Sequence, residues 1–383
     1  MRYVRLGELP TTHHTQFRQP DGLLYREQLF GTRGFSGRSS TLYHIHPPTQ
    51  VAEIERLTER NPLVISEETL QPRHFKTRAL PSAGDAVSGR VPLCFNGDVI
   101  LSYVRTAAPM TYLYKNADGD EALYIHRGSG RLESMFGSLV YGPGDYLIVP
   151  RGVIYRLEEE TLDTEIFVIE AAGSIEIPRR YRNEYGQLLE HAPYRERDIR
   201  PPESLETHRE TGRHEVRVLA RGVLQAYRYD FHPFDAVGWD GYVFPFAFSI
   251  YAFQPITGRV HLPPPIHQTF EARNFVICSF VPRMLDYHPQ AVPAPYVHSN
   301  IDSDEVIYYA NDRFSSRRGI QEGSVTMHPS GIPHGPQPGA TEDSIGKPRT
   351  EELAVMVDTF NPLHITPQAL GIEATDYPMS WKG

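Results

Sequence analysis

The sequence predicts an all-β protein: two related β-barrel (jelly-roll) domains with few helices. Three observations carry that expectation. The 383 residues include 33 prolines and 30 glycines, the punctuation of many short strands and turns. Aromatic and β-branched runs closed by Gly, Pro or Asp recur along the chain: ALYIHRGSG, YLIVPRG, EIFVIEAAG, NFVICSFVPR, EVIYYAND and ELAVMVDTF. Finally, one β-unit occurs twice. GDYLIVPRGVIY (144–155) and GSVTMHPSGIPH (323–334) both read glycine, five residues, proline, one residue, glycine, two residues and a closing side chain. The closing side chain is Tyr155 in the first copy and His334 in the second.

Taken in order, residues 1–49 form an N-terminal arm, 50–180 the first barrel, 200–365 the second and 366–383 a C-terminal tail. Within the arm, His13, His14, His44 and His46 resemble metal ligands. His44 and His46 could share one side of a strand, but no carboxylate stands at matching spacing, so the block reads as structural. QVAEIERLTERN (50–61) predicts a helix, with Val51, Ile54 and Leu57 on one face and acidic residues early. VFPFAFSIYAF (243–253) is too short and too broken to span a bilayer, and its alternation suits a buried strand.

Composition excludes several functions. A net charge of −9 argues against broad binding to nucleic acid or an anionic membrane. Cys94 and Cys278 make neither a disulfide framework nor a CxxC site, and the first residues lack the apolar core of a signal peptide. A cytoplasmic protein is expected.

The repeat also carries chemistry. Upstream of each copy lies an acidic strand start, placing Glu121 and Glu305 in matching positions; seven residues earlier stand Tyr114 and His298. The second copy therefore reads His298-x-Asn300-x4-Glu305, followed by Gly323 to His334. This pair of motifs resembles the cupins, whose motif strands converge inside a small antiparallel barrel. Two imidazoles and one carboxylate, from His298, Glu305 and His334, form a set that leaves open positions on a metal and suits Fe(II) dioxygen chemistry. In the first copy Tyr114 and Tyr155 replace both histidines, and Glu121 alone holds no metal.

Two blocks narrow the resemblance. PTTHHTQFRQPDGLLYREQLFGTRGFSGRSSTLYHIHPPT (10–49) resembles the opening of the homogentisate 1,2-dioxygenase family, and PYVHSN, Glu305 and MHPSGIPHGP resemble its iron-binding segment. The resemblance implies that His298, Glu305 and His334 bind Fe(II). It also implies that O2 and a small aromatic acid react there, and that the chain assembles as a homotrimer or homohexamer. His334 would lie beside the substrate ring. His328 would orient substrate or a ligand, and Tyr296 and Phe314 would contact substrate. Phe314 falls on the family's substrate-contacting tyrosine, with Tyr308 or Tyr309 as substitutes for its hydroxyl. Arg283 matches a family arginine near the site. In VHLPPPIHQTF, His261 matches the family's proton-accepting histidine, with His267 as the alternative. The prolines 263–265 favour an extended segment of roughly 3.1 Å per residue, which would hold the two imidazoles too far apart to serve one atom. The contrasting expectation is a bicupin with another task, such as an isomerase or a small-molecule binding protein.

Overall fold

Strands make up nearly all of the regular structure in the computed structural model, which describes residues 2–59, 63–66, 69–314 and 316–382. Among these residues only Ala340–Ser344 and Pro367–Leu370 are α-helical. Among the described residues no helix is long and apolar enough to cross a membrane.

The duplication read from the sequence reappears as a repeated pairing order. In an eight-stranded sheet, Asp120–Arg127 lies between Asp145–Val149 and Glu165–Ala171, and the latter pairs with Val99–Arg105 and then Val91–Phe95. In a six-stranded sheet, Asp304–Tyr309 lies between Ser324–His328 and Ala354–Thr359, followed by Phe275–Phe280 and Gln268–Ala272. Five strands in the same order thus frame each copy.

Each sheet is completed by strands from outside its own copy. Arg73–Lys76, which precedes the first copy, pairs with Ser324–His328 of the second. Phe246–Ser249, which precedes the second, pairs with Asp145–Val149 of the first, and His364–Ile365 adds to Val91–Phe95. A seven-stranded sheet crosses between the copies in the same way, with Thr211–Ala220 parallel to Leu113–Asn116. Sheet pairing therefore runs across the expected division at residues 180–200.

Where the two main sheets face one another they meet through aromatic rings. Phe167 stacks on Tyr308 (centroids 4.8 Å apart, 12° between planes), Tyr103 and Tyr124 close around them, and the Tyr146 hydroxyl bonds the Ser279 hydroxyl at 2.8 Å. Tyr308 faces this seam with its hydroxyl buried and unpartnered, and Tyr309 bonds the Thr326 hydroxyl at 2.9 Å. Neither residue borders the cavity described below, and the Tyr309 ring packs edge-on against Phe314 with centroids 5.0 Å apart.

The helix predicted over 50–61 is not formed. Glu53–Glu59 is an edge strand, antiparallel to Val223–Phe231. Arg228 ties it down, donating to Glu53 at 3.0 Å and to Glu55 at 2.6 Å. A ladder against a nine-residue strand outweighs the modest helical preference of a short segment. Arg60 and Asn61 lie outside the described residues. In the N-terminal arm, Val4–Gly7 and Ser39–His44 both pair with Ala236–Gly241.

Candidate metal centre

Glu305 is carried by the strand Asp304–Tyr309, and its antiparallel neighbour is His328. Beyond His328 the chain turns through residues 329–333. The Asp304 carboxylate pins this turn, accepting from the Ser330 and Leu363 amides at 2.7 Å each. Gly331 takes the positive φ of 80° that the turn requires. The chain emerges at His334 into a two-bond antiparallel bridge with His298, each amide donating to the other's carbonyl at 2.9 Å. The bridge needs the glycine that follows, because a Cβ at Gly335 would lie 2.8 Å from the Val297 Cα. The prolines and glycines of the opening motif thus deliver two histidines side by side, with rings 4.3 Å apart, above Glu305.

Hydrogen bonds set which nitrogens face inward. A carbonyl can only accept, so His298 Nδ1 donates to the Tyr296 carbonyl (3.1 Å) and His334 Nδ1 donates to the Ile332 carbonyl (3.3 Å). Each Nε2 is left with a bare lone pair. His334 Nε2 is buried with no protein partner and lies 3.9 Å from the Glu305 carboxylate. Ligand atoms of His298, Glu305 and His334 all fall within 4.8 Å of one another. Burying an acceptor without a partner costs free energy, and a cation between the three residues removes that cost. The residues fit a metal.

His328 stands behind this set. It is fully buried, stacks on His334 (4.8 Å, 7°), donates from Nδ1 to Glu305 at 2.8 Å and accepts from the Tyr377 hydroxyl at 3.1 Å. Burial acts to raise the Glu305 carboxyl, but the His328 hydrogen bond and nearby positive charge outweigh it and hold it at about 2. Burial pushes the His328 imidazole down to about 4. Burial lowers the His334 imidazole as well, so Glu305 as a carboxylate and His334 as a neutral imidazole are in the forms that bind metal ions.

A cavity of about 350 Å³ opens from His298 and Glu305. Phe280, Ile307 and Phe314 wall it, and His261 and His267 both line it. The extended segment expected between these histidines is not formed. Pro264–His267 is a 3-10 turn with proline in its first positions, where the missing amide hydrogen is not needed, and the turn brings both imidazoles to one cavity. His328 lies behind the metal ligands and does not border the cavity, nor does the buried His334. Tyr296 is 61% exposed and also stands outside the cavity lining, with its ring against His261 and its carbonyl on His298. Arg283 does line the cavity, bonded to Glu352 at 2.6 Å.

Three features were not foreseen from sequence. Arg317 is buried at the inner end of the cavity, and its Nε is unpartnered. The tail returns to the site through Tyr377 and Trp381. Two aromatic residues in DYPMSW were the available sign that this tail docks rather than dangles. In the arm, His44 and His46 share one buried carboxylate, Asp235, at 2.8 and 3.0 Å. That partner lies 191 and 189 residues away, beyond any spacing argument.

The first copy holds a different set at the matching positions. Tyr114 and Tyr155 are paired across strands, as His298 and His334 are. All three ligand-equivalent residues converge on one guanidinium. Arg90 lies 2.5 Å from Glu121 and 3.2 Å from the Tyr155 hydroxyl, with its carbon 5.7 Å from the Tyr114 ring centre. Glu170 adds a second carboxylate at 3.4 Å. A fixed internal cation thus stands where the second copy has its ligand atoms free.

Residues 4–250 match the family described as Homogentisate 1,2-dioxygenase N-terminal. The chain belongs to the homogentisate 1,2-dioxygenase family. The Saccharolobus solfataricus protein named Putative dioxygenase SSO1533 is 44% identical over 99% of this chain and 98% of its own length. A homogentisate 1,2-dioxygenase of Rhodopseudomonas palustris strain BisB18 is 26% identical over 98% of this chain and 90% of that enzyme. Among solved structures, a cupin 2 conserved barrel domain protein from Leptotrichia buccalis covers 78% of this chain and 99% of its own at 12% identity, with a TM-score of 0.35. Membership in this family supports a dioxygenase with a metal cofactor, and His298, Glu305 and His334 stand in the part of the chain beyond the matched residues.

Arg90→Met should destabilise the protein by about 3–5 kcal/mol, because it strands Glu121 and Glu170 in the interior without a cation. Urea unfolding measures this, and a loss below about 1 kcal/mol would show that the guanidinium is not the counter-ion of the first barrel.

Proposed function

We propose that the protein is an Fe(II)-dependent ring-cleaving dioxygenase acting on a hydroquinone-type aromatic acid, with homogentisate as substrate and maleylacetoacetate as product. The observation that supports this most is the His298, Glu305 and His334 set, with an unpartnered His334 Nε2 and with His298 and Glu305 bordering an aromatic-walled cavity. Two imidazoles and a carboxylate bind Fe(II) while leaving positions open for both substrate and O2. Bound there, the iron supplies the dioxygen chemistry, and both oxygen atoms enter the product. The pathway reading is tyrosine and phenylalanine breakdown in the cytoplasm.

The chain's own residues bind the ring and move its proton. Phe280, Ile307 and Phe314 offer apolar faces to an aromatic ring, while Arg313 and Lys347 at the same cavity suit a carboxylate. A proton acceptor must be neutral before the step and able to hold the proton after it. Burial holds both His261 and His267 below the ordinary histidine range, so both begin neutral. They differ in how well each can carry the added charge. His267 is held well below that range by burial and by nearby Arg283, so its charged form is strongly disfavoured. His261 is more open and has Asp286 at 3.9 Å to favour the imidazolium. We therefore assign the phenolic proton to His261.

Phe314 gives this reading a specific alternative. Without the hydroxyl that the family places there, the cavity suits a related ring acid such as a gentisate-like substrate. The chain is also proposed to assemble as trimers or hexamers. Tyr287, Val297 and Ile301 are 70, 63 and 82% exposed near the ligand segment, and another copy would cover such a surface.

Oxygen uptake by Fe(II)-loaded protein tests the function. Homogentisate should drive uptake matched by ring-opened product, and uptake with gentisate alone would transfer the assignment to the alternative. His261→Ala should retain metal and substrate binding and lose more than about tenfold in turnover, within the range for a general base, with His267→Ala much less affected. The reverse order would move the proton to His267. Light scattering on the purified protein should give three or six chains per particle, and a monomer would reject the assembly.

A further inference from the structure

The C-terminal segment has no part in the function drawn so far, yet it is bound to the metal centre more tightly than a tail needs to be. The 3-10 turn Tyr377–Trp381 packs directly behind the ligand histidines. Tyr377 is 4% exposed, and its hydroxyl donates to His328 Nε2 at 3.1 Å. Trp381 Nε1 donates at 3.2 Å to the carbonyl of Gly335, the residue that follows a ligand. Arg317 donates to the same carbonyl at 2.5 Å and lies over the Trp381 ring at 5.7 Å. Ser380 accepts from Gln337 at 2.6 Å. At its near end the segment is anchored by a buried ion pair, Arg73 to Glu373 at 2.7 Å, and by the Ala374 amide on the His74 carbonyl at 2.8 Å.

We propose that Tyr377 is a positioning residue of the metal centre. Its hydroxyl fixes the His328 ring, and through that ring the orientation of the Glu305 carboxylate. This rests on the metal-centre reading above. The chemistry allows only one arrangement of hydrogens along the chain. Glu305 as a carboxylate can only accept, so His328 Nδ1 carries the hydrogen. His328 Nε2 then has a lone pair, and the Tyr377 hydroxyl must donate to it. Three groups are thereby joined in series: Tyr377 O–H to Nε2, Nδ1–H to Glu305 Oε1, and that same Oε1 facing His334 Nε2 at 3.9 Å. Carboxylate ligands that are themselves held by hydrogen bonds bind metal more tightly, because less freedom is lost on binding. The tail, rather than the barrel alone, then decides how firmly Glu305 is aimed.

The test uses the full-length protein stripped of metal and titrated with Co(II), read by calorimetry and by the visible absorption of the bound ion. Tyr377→Phe keeps the ring and its packing and removes the hydroxyl, which also faces Arg317 and Thr326. It should weaken Co(II) binding about three- to tenfold and shift the Co(II) spectrum, whereas His328→Leu, one bond nearer the ligand, should weaken it about 10- to 100-fold. In the His328→Leu background, Tyr377→Phe should add less than about twofold, because the route through His328 is already cut. Circular dichroism melting checks that each variant is folded. An unchanged affinity and spectrum in Tyr377→Phe would overturn the proposal, as would an equal loss in both backgrounds. If His328→Leu fails to fold, the Tyr377→Phe affinity and spectrum alone decide. Should the parent protein bind no Co(II), the metal-centre reading fails instead, and the two failures are distinguishable.

Discussion

The reciprocal backbone bridge between His298 and His334 is the constraint on which the rest of the site depends. It forces two loop segments to run within hydrogen-bonding distance, which only glycine at position 335 permits beside Val297. Loops are ordinarily mobile, and ligands carried on them are poorly aimed. Here the bridge and the Asp304 pin on the adjacent turn convert loop positions into fixed ones. The two Nδ1 atoms are committed to local carbonyls, which leaves both Nε2 lone pairs for an ion.

The same framework appears twice and reaches two different ends. Both copies place a carboxylate on the central strand and a cross-paired couple of rings beside it. In one copy the rings are imidazoles and the cation must come from outside. In the other they are phenols, and Arg90 supplies the cation covalently attached to the chain. A barrel interior that gathers a carboxylate needs positive charge from some source. That requirement accounts for both copies.

Much of this was legible in sequence because the repeat is local. Strand runs, turn glycines and the His298, Glu305 and His334 spacing are short-range patterns, and each fixes an element or a ligand without reference to distant chain. What escaped depends on partners far away. Asp235 answers His44 and His46 across nearly half the chain, and Arg90 reaches Glu121 from just before the strand Val91–Phe95, in a stretch that shows no motif. Tyr377 reaches His328 from a tail 49 residues on. The segment 50–61 failed for a related reason, since its strand exists only through pairing with Val223–Phe231. The region around His261 and His267 was misjudged locally, because a proline run can open a 3-10 turn as readily as an extended stretch.

The central claim is that one ion is held by His298, Glu305 and His334 and none by the first barrel. Metal content and anomalous scattering on Co(II)- or Fe(II)-loaded crystals test it most directly. The account requires one ion per chain, bonded to those three side chains, and its loss in a folded His334→Ala variant. A second ion beside Glu121, or full occupancy in His334→Ala, would contradict it.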